Sequence, residues 1–305
     1  MTNKGFSYQT IESAIGNTPI VRLSNLPGEE NGKRRNVILA KLEGNNPSGS
    51  VKDRAMHAMV HYAEKRGVIK PGDMLIEATN GNSGIALAMI AAKKGYRCTL
   101  VMPENTSQEK QQCMAIYGAE IVLTPRQSGM GFARSLVYKL VAEGHGVTLD
   151  QFANPDNPRA HYETTGPEIW TATGGRVTHV VCGMGTTGTI MGISQYLKEK
   201  NAAIQIVGVE PEVVGRIPGL QKWPESGTPP VYDKSRIDRI EQVSLAYAEY
   251  MARRLAREEG IFCGISATAA CEATMKLSQE VEDATIVFIV CDRGDRYLSM
   301  GVFPA

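Results

Sequence analysis

The chain has 305 residues, enough at roughly 100–200 residues per domain for one large domain or two ordinary ones. Hydrophobic residues make up 42% and charged residues 21%, a balance that excludes a disordered chain. Lys and Arg number 33 against 32 Asp and Glu, and a formal net charge of +1 gives no electrostatic reason to expect nucleic acid or an acidic membrane surface.

Residues 1–19 carry a lysine but neither an apolar stretch nor a small-residue cleavage pattern, which points away from secretion and towards the cytoplasm. Short apolar runs rich in β-branched residues then alternate with longer runs of helical period. Strands are expected at 37–41, 74–79, 98–102, 120–123, 147–149, 179–182, 204–209 and 285–291. Helices are expected at 52–66, 83–94, 107–117, 130–142, 159–171, 187–200, 245–259 and 268–280. The longest apolar run, 85–92, has eight residues, well short of the roughly 20 that cross a bilayer as a helix. Strand, helix, strand order implies mostly parallel sheets wrapped by helices, because parallel strands need crossovers. Segments 26–35, 154–158 and 217–230, dense in Pro, Gly, Asn or charge, read as loops. The middle one separates two sets of alternation, so two α/β domains with a ligand cleft between them are expected.

Two segments share one form, a strand running into a Gly- and hydroxyl-rich loop that opens a helix. The first is Thr79-Asn80-Gly81-Asn82-Ser83-Gly84, and the second is Gly183-Met184-Gly185-Thr186-Thr187-Gly188-Thr189. Unpaired N–H groups at a helix start, beside glycines that permit close approach, make an anion site; an ordinary capped turn is the plainer alternative. The second loop also fits the dinucleotide fingerprint, with Glu210 standing 22 residues after Gly188 as the ribose acid. Its threonine density suits a compact phosphate monoester better.

A third segment, 41–54, sets Lys52 at a helix start after a turn-rich loop. The helix dipole disfavours a cation there and depresses the pKa, and a neutral amine is what Schiff-base chemistry requires. The six cysteines, Cys98, Cys113, Cys182, Cys263, Cys271 and Cys291, contain no CxxC pair and read as reduced thiols without a disulfide or zinc framework.

These segments, taken with Gly16-Asn17-Thr18-Pro19, Asp150-Gln151-Phe152, Asn154-Pro155, Asn157-Pro158 and the Thr164–Trp170 run, resemble the pyridoxal-phosphate cysteine synthases, or O-acetylserine sulfhydrylases. The ending Cys291-Asp292-Arg293-Gly294-Asp295-Arg296-Tyr297-Leu298-Ser299 is similar to the B branch of that family. The resemblance implies fold type II of the pyridoxal-phosphate enzymes, tryptophan synthase β-like, with the active site in an interdomain cleft. Residues 47–155 would form a smaller mobile domain, and 1–46 with 156–305 the larger one that binds the cofactor phosphate.

By the same resemblance Lys52 would form the internal aldimine with pyridoxal 5'-phosphate, and Asn82 would hydrogen-bond its ring hydroxyl. Gly185, Thr186, Thr187, Gly188 and Thr189 would bind the phosphate, and Ser266 would face the pyridine nitrogen. Thr79, Asn80, Gly81, Asn82 and Ser83, with Gln151, would take the substrate carboxylate. The implied reaction is β-replacement through an α-aminoacrylate: O-acetyl-L-serine loses acetate, and sulfide or another sulfur donor adds. A serine hydroxyl cannot protonate the ring nitrogen as an acid would, so loss of a β-leaving group is favoured over a long-lived carbanion at Cα. A homodimer is implied, while docking of serine acetyltransferase stays open.

Four features depart from the family pattern. Asn80 stands for a serine, Ser83 for a threonine, Ala267-Thr268 for a Ser-Gly pair, and Gln221-Lys222 for paired arginines, with Arg216 close enough in sequence to compensate. The last implies poor use of thiosulfate. Alternatives to the synthase are a serine/threonine dehydratase on the same fold, a nicotinamide oxidoreductase, and a cofactor-retaining binding protein without catalysis. Other conspicuous residues read as structure: His57 and His61 as a solvated face, Trp170 and Trp223 as packing without an aromatic partner, and Asp292 as a surface turn acid sooner than as a group that reaches the cofactor.

Overall fold

The computed structural model describes residues 8–214, 217–224, 227–301 and 303; Arg216 lies outside them. In chain order it has β1 (Ile20–Arg22), α1 (Gly28–Lys33), β2 (Val37–Leu42), α2 (Lys52–Lys65), β3 (Met74–Ala78), α3 (Asn82–Lys94), β4 (Arg97–Pro103), α4 (Gln108–Ile116), β5 (Glu120–Thr124) and α5 (Gly129–Ala142). The second half has α6 (Asp156–Ala160), α7 (Gly166–Ala172), β6 (His179–Gly183), α8 (Gly188–Lys200), β7 (Gln205–Pro211), β8 (Arg239–Val243), α9 (Leu245–Glu259), α10 (Ile265–Ser278) and β9 (Thr285–Val290).

Six strands form one sheet in the order β1-β2-β9-β6-β7-β8, and β3-β4-β5 form a second. Every strand pairing is parallel except β1 with β2. Covered on both faces, the inner strands β2, β9, β6 and β7 of the large sheet are nearly continuous apolar runs, as parallel sheets require. Along β9, Ile286, Phe288 and Val290 join the core under α9 and α10, while Val287 and Ile289 join the core under α8. The small sheet repeats the plan. Leu75, Leu100 and Met102 pack with α2 and α3, and Ile76, Ala78 and Val101 pack with α5. Each such side chain, fully buried, contributes roughly 1.5–3 kcal/mol.

Helix α2 serves both units. Its first residues are tied to the large sheet through Val51 N–H to Cys291 O at 2.8 Å, whereas Met56, Met59 and Val60 belong to the core of the small one.

The structure differs from the sequence expectation in five places, one being the loop expected at 154–158, whose last three residues open α6. Segment 147–149 is no strand; Val147 makes only an isolated parallel bridge to Leu75, since no further strand continues the ladder. The helix expected at 159–171 is interrupted by a π-helical turn, His161–Thr165, between α6 and α7. The loop expected at 26–35 contains α1. The edge strands β1 and β8 were not anticipated: three residues are too few to show a period, and β8 is mostly exposed with no apolar alternation.

Candidate active site

The turn Ser48-Gly49-Ser50 delivers the chain into α2. Gly49 has φ +88, and a Cβ there would lie 2.5 Å from a guanidinium nitrogen of Arg296, so only glycine fits. Ser48 donates its N–H to Oδ2 of Asp53 at 2.6 Å and its hydroxyl to Oδ1. Burial raises the Asp53 carboxyl to about 6 against those bonds. Lys52 N donates to Ser50 Oγ at 3.2 Å, and Ser50 bridges Asp292. The side chain of Lys52 is enclosed by protein yet keeps part of its surface open, and its Nζ makes no hydrogen bond or ion pair among the described residues. Burial lowers its pKa, outweighing the opposing pull of Cys291, Cys182 and Asp292. Desolvation thus pulls this amine towards its neutral, nucleophilic form, the direction expected from its place at a helix start.

The β3 to α3 loop closes tightly. A Cβ on Gly84 would stand 2.8 Å from the Met114 methyl and 2.9 Å from Cγ2 of Thr79. Thr79 and Ser83 are buried, Asn80 is exposed, and Gly81 caps α3 with its N–H 3.3 Å from Thr79 Oγ1. Ser83 Oγ lies 2.5 Å from Gln151 Oε1, joining this loop to the segment after residue 147. That segment is held by the buried Glu77, whose carboxylate accepts from Thr148 Oγ1 at 3.0 Å and from the N–H groups of Leu149 and Asp150. Burial, joined by the nearby Asp150 charge, lifts Glu77 to about 7.

The β6 to α8 loop is built on close approaches. A Cβ on Gly185 would meet Gly219 O at 2.6 Å, and one on Gly188 would collide with Asn157. Thr186 Oγ1 receives Asn157 Nδ2 at 3.1 Å, and Thr189 Oγ1 lies 3.2 Å from His161 Nε2. His161, whose Nδ1 meets Thr165 Oγ1 at 2.9 Å, is pushed by burial down to about 3 and stays neutral. Thr187 is held at φ +69, a left-handed conformation unusual for a β-branched residue, and its buried hydroxyl has no partner among the described residues. A strained residue with an unsatisfied buried donor marks a place where a ligand belongs.

Ser266 sits buried in the first turn of α10, its hydroxyl beside the Cys291 thiol and 3.5 Å from a Cβ placed on Gly219. Lys52, Cys291, Ser266, Gly219 and Gly185 thus form a contiguous wall. Thr268, one of the departures from the family pattern, points away: its hydroxyl donates to Ala248 O of α9 at 2.7 Å. Asp292 is not a surface acid, because β9 ends inside the molecule and leaves it 1% exposed. Its Oδ2 accepts from Asn82 Nδ2 and from the Tyr297 hydroxyl, each at 2.6 Å, and burial raises its pKa. Trp223 also differs from expectation. It meets Phe152 edge-on at 5.8 Å, a pairing between residues 71 apart that no local pattern reveals.

Sequence reasoning missed a buried charge cluster behind Lys52. Arg54 donates to Glu43 (Nε to Oε2, 2.7 Å) and to Glu168 (Nη1 to Oε1, 2.7 Å), while Lys41 Nζ reaches Glu168 Oε2 at 2.5 Å and Thr18 O at 2.7 Å. The motifs at 41–54 and 164–170 contain all four charges, so their presence together was the available signal. On the opposite side His61 is exposed as expected, but His57 is half-buried and stacks on it at 6.1 Å. No group of three or more His, Cys, Asp or Glu among the described residues could hold a metal ion.

The Glu210 carboxylate, the candidate ribose acid, accepts from Gln242 Nε2 at 2.9 Å and pairs with Lys222 at 3.6 Å, which disfavours the dinucleotide reading. Residues 11–292 match the family model described as pyridoxal-phosphate dependent enzyme. The chain is 57% identical to a cysteine synthase B of Pseudomonas aeruginosa, covering 97% of this chain and 98% of that one, and 53% identical to that of Escherichia coli, covering 96% of each. A solved cysteine synthase from Entamoeba histolytica superposes with a TM-score of 0.92 at 39% identity, over 100% of this chain and 93% of the other. With likeness running along nearly its whole length, the chain belongs to the pyridoxal-phosphate dependent enzymes, on their cysteine synthase B branch.

Proposed function

We propose that the protein converts O-acetyl-L-serine and sulfide to L-cysteine and acetate in cysteine biosynthesis, with pyridoxal 5'-phosphate as cofactor. The residues fit that group. The unpartnered Thr187 hydroxyl supplies a donor for an anion at the start of α8, where helix N–H groups and the dipole add to it. Bound there, the cofactor supplies an electron sink that eases loss of a proton from the substrate Cα and of acetate from Cβ.

Lys52 holds the cofactor through Nζ and, once released, takes the proton at Cα and later returns it. Gly185, Thr186, Thr187, Gly188 and Thr189 hold the phosphate, and Asn82 donates to the ring hydroxyl. Thr79, Asn80, Gly81 and Ser83, joined to Gln151 through the Ser83 hydroxyl, orient the substrate carboxylate. Ser266 offers the ring nitrogen a neutral hydroxyl, which limits charge build-up at Cα and leaves expulsion of acetate as the easy path. With the C–O bond to acetate already broken, sulfide adds to form the C–S bond at Cβ, and the proton held by Lys52 returns to Cα.

Residues 47–155 act as a smaller mobile unit carrying the substrate loop, against a larger one of 1–46 and 156–305; the separate β3-β4-β5 sheet supports this division. Family membership supports a homodimer working in the cytoplasm.

The observation that carries the reading is the Lys52 amine, unpartnered among the described residues and with its pKa lowered by burial. Borohydride reduction of the purified enzyme followed by peptide mapping is expected to place a pyridoxyl group on Lys52. A label on another lysine, or no spectral change and no cysteine on adding O-acetyl-L-serine and sulfide, overturns it.

A further inference from the structure

The side chain of Asn82 is held from two sides by residues of the segment that follows β9. Arg296, 5% exposed in the 3-10 helix Gly294–Met300, donates from Nη1 to Asn82 Oδ1 at 2.6 Å and from Nη2 to Ser48 O. Asp292 Oδ2 accepts from Asn82 Nδ2 at 2.6 Å, and it accepts from Tyr297 as well.

An asparagine amide has two nearly isosteric ends, and a half-turn about its last bond exchanges donor for acceptor. A guanidinium can only donate, whereas a carboxylate accepts. Between the two, the half-turned amide would set N–H against N–H and oxygen against oxygen. One orientation survives, and it leaves the second hydrogen of Asn82 Nδ2 without a partner among the described residues.

We infer that Arg296 and Asp292 are positioning residues that lock the Asn82 amide with this remaining N–H available to the ring oxygen of pyridoxal phosphate, an inference resting on the reading of Asn82 as the ring-hydroxyl contact. A fixed donor favours the deprotonated ring oxygen and so the visible-absorbing form of the bound cofactor. The same guanidinium donates to Ser48 O, which anchors it in the orientation that meets Asn82.

The test is a double-mutant cycle read by absorption of the bound cofactor and by its equilibrium dissociation constant, with Arg296→Gln, Asn82→Ala and the double variant as holoenzymes. R296Q is expected to keep the borohydride label on Lys52, to shift the cofactor from the visible to the near-ultraviolet band, and to bind it about tenfold more weakly. In the N82A background the same change is expected to add almost nothing, because Arg296 acts through Asn82. Arg296→Lys, which keeps the charge but can reach only one of the two acceptors, gives a smaller shift of the same kind and replaces R296Q in the cycle if that variant does not fold. A labelled Lys52 with an unchanged spectrum, or effects of the two changes that simply add, overturns the clamp alone. Absence of the label in the unaltered enzyme overturns both the clamp and the functional reading.

Discussion

Trp223 Nε1 donates to the carbonyl oxygen of Gly185 at 2.9 Å, which anchors the segment carrying Gln221 and Lys222 to the β6 to α8 loop. Gln221 N–H adds a second tie, to Met184 O at 2.7 Å. The pair that replaces two arginines therefore stands beside the proposed phosphate site, and Lys222 is already engaged by Glu210. A dianionic donor such as thiosulfate finds no bidentate fork there. Sulfide should be used well and thiosulfate poorly. Gln221→Arg with Lys222→Arg should raise kcat/KM for thiosulfate selectively, by about ten- to a hundredfold for a regained charged pairing of roughly 1.5–3 kcal/mol. Equal efficiency with both donors in the unaltered enzyme would show that these positions do not set the choice.

Glu168→Gln should destabilise the protein sharply. It removes the charge that Arg54 and Lys41 share while leaving both cations buried. Breaking such a cluster costs about 3 kcal/mol or more, read as a lower urea midpoint at unchanged m-value. A shift below about 0.5 kcal/mol would show that solvent or rearrangement replaces the carboxylate.

Thr187→Gly separates strain from binding. Relieving a left-handed β-branched residue should stabilise the apoprotein by about 1 kcal/mol, while loss of the hydroxyl weakens cofactor retention about tenfold or more. Thermal melting of the apoprotein and equilibrium dialysis with pyridoxal phosphate measure the two halves. Cofactor affinity equal to that of the unaltered protein would remove Thr187 from the phosphate site.

Stability should fall as pH rises through neutrality because of Glu77. Its carboxyl is raised from the ordinary 4.5 to about 7 in the folded state, so folding favours the protonated form. That stabilisation is complete below about pH 4.5 and is lost progressively as pH climbs through 7, about 3 kcal/mol at most. Glu77→Gln should flatten this part of the pH–stability curve. An unchanged slope in the variant assigns the titration elsewhere, Asp53 being the next candidate with its carboxyl at about 6.

Much of this was legible in the sequence, because a parallel sheet covered on both faces writes its strands as apolar runs and its anion loops as glycine and threonine. The helix start at Lys52 and the loop that opens α8 at Gly188 could be placed that way. Asp292 could not, since a single acid after a strand looks the same whether the chain then turns outward or, as here, folds back under Tyr297. The Arg54 and Glu168 pair spans 114 residues, and Trp223 with Phe152 spans 71; contacts that long leave no local period. The lowered Lys52 pKa was legible from its place at a helix start, but its burial was not, because burial depends on what the rest of the chain brings against it.

The double allegiance of α2 has a mechanical consequence. Its first turn is fastened to the end of β9, and its middle is part of the core beneath the small sheet, so a rotation of the small unit against the large one would have its fulcrum close to Lys52. Displacement grows with distance from a fulcrum. Asn82 is fastened to Asp292 and Arg296 of the large unit, while Asn80 is exposed and its side chain has no such tie among the described residues. Such a swing would carry the substrate-facing rim through the larger arc and leave the amine almost stationary, so that opening for a new substrate need not disturb the bond that holds the cofactor.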